Sequence, residues 1–272
     1  LGVSCLVERA WAQATLTSEV AALGANAVIG GLGSGISAWL RGDSFTDAFT
    51  VGAAGGAVVF VGKRVATIRH PGAGLGGRVV GAVGASMVRN AATGRGPLDL
   101  VLLPVGPVTL YWTTVPDSGS VSARLNVGRA IFLGRLLARE RLRLDWGETL
   151  SAGGPVFHAE GRVIEGENGS RVGGMELWGT ISLSDPELIP MVDHGQLLAH
   201  ERVHLIQDDF LNLAWAGPME EWLLARVPYG DVLSRYFDPG VLYMGIAGIF
   251  VAAMPYEDRP WEVEASYLES GW

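Results

Sequence analysis

The sequence predicts an α+β chain in three successive regions. Three observations carry this: uncharged Gly/Ala-rich runs over residues 1–97, alternating apolar and polar residues over 98–184, and capped helical periodicity over 185–272. The 272 residues suffice to bury a real core. A formal net charge of −8 argues against a nucleic-acid partner, because phosphate binding needs clustered Lys and Arg. The single cysteine, Cys5, excludes an intrachain disulfide and any cysteine-rich metal site.

The first region holds 21 uncharged residues between Glu19 and Arg41 and 15 more between Asp47 and Lys63, followed by the helical texture of "GRVVGAVGASMVRNAA". The longer run reaches the length of a membrane span. Its five glycines, with Asn26, Ser34 and Ser37, make it only weakly apolar. Small residues at three- and four-residue spacing let helix backbones approach closely. Two or three close-packed Gly-rich helices, set against a membrane or a partner protein, are expected in preference to true spans. Ala10-Trp11-Ala12 has the small-x-small pattern that precedes signal cleavage, but Glu8 and Arg9 beside it argue against a normal signal peptide. His70, in "RHPG", reads as a turn residue. "GAGLGG" at 72–77 matches GxGxxG, yet Pro71 precedes it and no strand leads into it, so a dinucleotide site is not expected.

In the second region "LDLVLLPVGPVTLYW" is β-rich and broken by Pro104 and Pro107. "SVSARLNVG" and "RLRLDWGETLSAG" alternate as half-buried strands do, and "GGMELWGTISLS" supplies a later strand. "EGRVIEGENGSRVGG", with Asn168-Gly169, reads as an exposed hairpin or loop. Short turns between successive strands predict an antiparallel meander or small barrel.

The third region starts a helix at Asp193, with Gln196 at capping-box spacing, and the stop signal is Gly217-Pro218. Pro218 also opens a short helix. The uncharged run at 241–255 is short for a span and reads as a buried or interfacial helix, and a final helix begins near Asp258 with Pro260 in its first turn.

Within the first of these helices lies His200-Glu201-Arg202-Val203-His204, an HExxH pattern. On a helix, residues four apart share a face, so the two imidazoles can share one metal ion. Glu201 lies about 100° round, within reach of a water on that metal, where a carboxylate acts as general base. Apolar flanks (Leu197, Leu198, Val203, Leu205, Ile206) suit a buried helix, and an acidic third ligand is available in "RPWEVEAS".

HExxH followed by "PWEVEA" resembles the zincin metallopeptidases of the Glu-ligand group, over about the last 80 residues. The resemblance implies a zincin-like helical C-terminal region, zinc as cofactor, His200, His204 and Glu262 as ligands, and Glu201 as general base. Glu264 is the substitute ligand, and Ser266 stands where that family has Asp. Asp208, one turn beyond His204, is a candidate for orienting a histidine, or else a solvent carboxylate beside Asp209. His194, Tyr256 and Tyr267 are candidate donors to a developing oxyanion, and His194 is also a candidate outer partner of the centre. The expected function is a zinc-dependent metallopeptidase or related hydrolase acting on a peptide or protein, membrane-associated. The alternative is a non-catalytic accessory or structural subunit of a bacterial membrane protein complex.

Overall fold

The computed structural model describes the backbone of residues 2–115, 119–140, 142–165, 171–240, 242, 245, 248–249, 253–255 and 258–270, with side chains from Ser18 onward. Among these the chain is α+β, as expected. The 241–255 run, Asn168-Gly169 and Tyr256 fall wholly or mostly outside the described residues, and Ala10-Trp11-Ala12 within the part described by backbone alone.

The Gly/Ala-rich region forms three packed helices, α1 (Gly2–Leu40), α2 (Phe45–Ala66) and α3 (Ala73–Ala92). Ser44 caps α2 by accepting from the Asp47 N–H. Glycine stripes set the spacing. A Cβ on Gly52 would strike the Gly30 carbonyl of α1 at 2.5 Å, and one on Gly55 the Gly84 carbonyl of α3 at 2.6 Å. Ser34 Oγ donates to the Ala48 carbonyl across the α1/α2 contact at 2.7 Å. His70 lies in the exposed bend between α2 and α3. The GxGxxG residues open α3 behind a helix rather than behind a strand.

The middle region departs from a single meander. Strands β1 (Leu100–Val105), β2 (Val108–Thr113) and β3 (Ser120–Asn126) do form an antiparallel meander. It is followed by helix α4 (Val127–Glu140), which the strand reading missed. "RLRLDWGETLSAG" is strand only over β4 (Leu142–Asp145). Asp145 then caps helix α5 (Trp146–Ala152), accepting from the Glu148 N–H at 2.8 Å, and Gly153 ends it with φ +75°. The Asp145 cap thus overrides the apparent alternation.

Strand β5 (Val156–Ala159) pairs antiparallel with β4; β6 (Ile164–Glu165) and β7 (Arg171–Val172) form a small ribbon. "GGMELWGTISLS" is two strands, β8 (Gly174–Leu177) and β9 (Thr180–Leu183). They are joined by Trp178 and Gly179, both at positive φ, the backbone of a two-residue hairpin turn. β9 runs parallel to β5, giving the sheet order β4-β5-β9-β8. All four β9 residues are buried, which explains why they lack alternation.

Asp193 caps α6 (His194–Leu211) as expected, accepting from the Gln196 N–H at 3.0 Å. The expected stop at Gly217 does not occur. A π-helical turn over Asn212–Ala216, with the Gly217 N–H bonded to the Asn212 carbonyl, leads directly into α7 (Gly217–Leu224). The wider turn puts Pro218 in the first turn of α7, where its missing N–H goes unused. Next come α8 (Gly230–Tyr236) and β10 (Phe237–Asp238), which adds to β3 in parallel. The last described helix is α9 (Pro260–Glu269), with Pro260 in its first turn.

Helix α6 is the axis of the molecule, buried along nearly its whole length. One face joins Val59, Val88, Leu102 and Tyr111 through Ile206 and Phe210. A second joins Val156, Ile181 and Leu183 through Leu198 and Leu205. A third joins Phe60, Ala265 and Leu268 through Val203.

Candidate metal centre

His200 and His204 project from α6 toward α9, where Glu262 sits in the first turn. His204 Nε2 is 2.9 Å from His200 Nε2 and 3.1 Å from Glu262 Oε2, and His200 Nε2 is 3.4 Å from that same oxygen. A tetrahedral zinc ion with ligands at 2.0–2.2 Å separates its donor atoms by about 3.4 Å. The three observed edges lie within about half an ångström of that value, so the donor set fits zinc with little movement.

The tautomers of both imidazoles follow from their outer partners. Gln207 Nε2 donates to the Trp261 carbonyl at 3.1 Å and to Glu264 Oε2 at 2.7 Å, and neither of those oxygens can donate. The amide is therefore oriented with Oε1 toward His204 Nδ1, 2.8 Å away, and Nδ1 carries the proton. His200 Nδ1 faces Glu269 Oε2 at 2.8 Å and is protonated for the same reason. Both Nε2 lone pairs then converge on each other and on a carboxylate oxygen. Three acceptors at such distances repel unless a cation lies among them. A proton on one imidazole relieves one pair, whereas a metal ion satisfies all three.

The electrostatics agree. Burial pulls the His200 pKa down, but the hydrogen bond to Glu262 and the charges of Glu201, Glu269 and Glu262 outweigh it, and the net shift is upward, so the surrounding carboxylates favour positive charge here. Glu201 is buried, and burial raises its pKa above the ordinary carboxyl range although His204 and His200 oppose the shift. Among the described residues its Oε2 has no hydrogen-bond partner, while the backbone N–H of Glu176 on β8 bonds to its carboxylate. A buried carboxyl with one free oxygen beside two histidines is equipped to take up and release a proton.

The other expected residues lie elsewhere. Glu264 is no ligand: its carboxylate receives Lys63 Nζ at 2.7 Å, Asn26 Nδ2 at 2.6 Å and Gln207 Nε2, so it acts through Gln207 upon His204. Asp208 orients neither histidine and does not face solvent; with Asp209 it is buried against Arg129 of α4, at 2.5 and 3.2 Å, and Asp209 also meets Arg78 of α3 at 2.9 Å. His194 turns away to Glu148, because six helical residues rotate it about 240° from His200. Tyr267 packs against the Arg64 guanidinium, 5.5 Å from its ring centroid.

Sequence reasoning missed Gln207 and Glu269. Helical periodicity held the signal for both, since Gln207 lies three residues beyond His204 and Glu269 seven beyond Glu262. It also missed Lys63 and Asn26, which no local pattern reveals. Compared with known protein families, with curated proteins and with solved structures, the chain matches none.

Proposed function

We propose that the chain is a metal-dependent hydrolase. More particularly, we read it as a zinc-dependent metallopeptidase of the zincin type, with His200, His204 and Glu262 as ligands. The observation that carries this reading is the meeting of three lone-pair donors, both imidazoles held in the ligand tautomer, beside the buried carboxyl of Glu201. Zinc bound there supplies Lewis acidity and a water acidified toward a pKa of about 7. Glu201 takes a proton from the attacking water as the new C–O bond forms, then gives it to the leaving amine as the C–N bond breaks. Its raised pKa suits a group that must hold that proton between the two events. Strand β8 bonds to Glu201 through the Glu176 N–H and so holds the proposed base in place, while the peptide class of substrate rests on the resemblance to the zincins.

Elemental analysis of the purified chain with a peptide-cleavage assay tests the reading. Zinc content falls by one equivalent in His204→Ala. Glu201→Gln keeps the zinc and loses about 10²–10⁴-fold in hydrolysis. Unchanged zinc in His204→Ala removes the proposal.

A second reading, an accessory subunit of a membrane complex, rests on a different observation. The segments 18–40 and 45–66 are each long and apolar enough to cross a membrane, and α1 exposes Val20, Val28, Trp39 and Leu40. Co-purification with a membrane assembly at fixed stoichiometry, together with full function in Glu201→Gln, favours it over the enzyme.

A further inference from the structure

We propose that Glu148, His158 and His194 form a second site for a zinc-type divalent ion, on a different flank of α6 from His200 and His204. The three side chains come from three elements: the first turn of α5, strand β5, and the first position of α6. Glu148 Oε1 is 2.6 Å from His194 Nε2, and Oε2 is 2.9 Å from His158 Nε2. The two imidazoles stack with centroids 5.7 Å apart and planes at 23°, so both present Nε2 to the same carboxylate. One ligand atom from each residue lies within 4.8 Å of the others. Closing donor separations from that bound to the roughly 3.4 Å of a tetrahedral ion takes ring movements of about an ångström.

The donor set names the class of ion. Two imidazoles and one carboxylate suit zinc, cobalt or nickel, whereas calcium and magnesium call for oxygen ligands throughout. The two helix N-termini that meet here favour anions by themselves. Their caps, Asp145 and Asp193, offset that, and together with Glu148 they surround His194 with negative charge. The side chains of His158, His194 and Glu148 keep 21%, 35% and 23% of their exposure, so water can complete the coordination. An ion here ties α5 and β5 to the start of the helix that carries the HExxH centre. The contact of Arg202 on α6 with Ser151 on α5, at 2.8 Å, braces the same junction.

The site stands independently of the proposed hydrolase, and metal stoichiometry separates the two. The metal-free chain is titrated with Zn²⁺ by calorimetry and checked by elemental analysis after dialysis. Wild type takes up two equivalents. Glu148→Gln and His158→Gln each lose one and keep the one that His204→Ala removes. Both substitutions spare the α5 cap, which uses the backbone N–H of residue 148. A circular-dichroism melt in EDTA matching wild type shows that the fold is retained. A single wild-type equivalent removed by His158→Gln but not by His204→Ala upholds this site while the hydrolase reading falls. A single equivalent that responds only to His204→Ala overturns the second site, as do two equivalents unchanged in both glutamine variants.

Discussion

Replacing Lys63 with Met tests how the Gly-rich helices bear on the metal centre. Lys63 Nζ, on α2, lies 2.7 Å from Glu264 Oε2 and 2.8 Å from Asn26 Oδ1, with its side chain 3% exposed and that of Glu264 17%. The substitution leaves the carboxylate with its two amide donors and no countercharge, and strips Asn26 Oδ1 of its donor. Removing one partner of a buried ion pair costs roughly 3–5 kcal/mol. The residual exposure of Glu264 lets water screen part of that, so about 3 kcal/mol is expected. For a chain of this size that lowers Tm by about 6–12 °C. Lys63→Met/Glu264→Gln removes the stranded charge while keeping an acceptor for Gln207, and recovers more than half of the loss. Denaturant and thermal melts followed by circular dichroism supply both numbers. Chelator competition gives the functional echo, since loosening Gln207 weakens zinc binding in the single variant by about 10–100-fold. A single-variant loss below about 1 kcal/mol, or a double variant no better than the single, refutes the reasoning.

Other perturbations reach the same network from different sides. Gln207→Leu and Glu269→Ala each release one Nδ1 proton from its acceptor and lower zinc affinity by about 10–100-fold in a competition titration, without touching a ligand. Gly56→Ala drives a Cβ onto the Asn26 carbonyl and Ala27 Cα, backbone that cannot swing aside, and destabilises the chain by about 1–3 kcal/mol or more. Gly24→Ala, which meets nothing within 4 Å among the described residues, instead gains up to about 1 kcal/mol. Burial raises the Glu221 pKa, but Arg89 and Arg95 outweigh it and the net shift is downward. The unfolded chain therefore binds the extra proton first, so this contribution is full above the unfolded value near 4.5 and is lost as pH falls through the depressed folded value. Glu221→Gln flattens that acid limb in melts taken between neutral and acid pH.

The legible parts of the sequence were the local ones. HERVH and the Asp193 cap are written within one helix, and three- and four-residue periodicity turns them directly into a face. In "PWEVEA" the structure brings Glu262 to the two histidines but not Glu264, because two residues of helix move Glu264 about 200° away from Glu262 and toward Lys63. The middle region misled wherever a local rule was overridden. Asp145 caps a helix within an alternating stretch, and Trp178 takes a left-handed turn conformation that its side chain gives no hint of. The Lys63–Glu264 pair joins positions 201 apart, and the Glu148–His194 contact positions 46 apart; only the packed fold brings either together.

That long-range network bears on which reading of the protein its interior favours. The α2, α6 and α9 helices already share an apolar contact through Phe60, Val203, Ala265 and Leu268. A scaffold kept for its shape needs only that contact, and buried ionic groups are often replaceable by apolar ones at no cost in stability. Here the interior also carries a chain of polar groups from Asn26 and Lys63 through Glu264 and Gln207 to His204 Nδ1. Its end point is an imidazole whose lone pair faces another imidazole and a carboxylate. Such a chain is a costly way to pack three helices and an economical way to hold a histidine ligand in one tautomer. The Gly-rich helices, whose texture suggested only membrane or partner packing, thus also reach through Lys63 and Asn26 to the side chains that hold His204, and this network supports the proposed metal binding over a shape-only role.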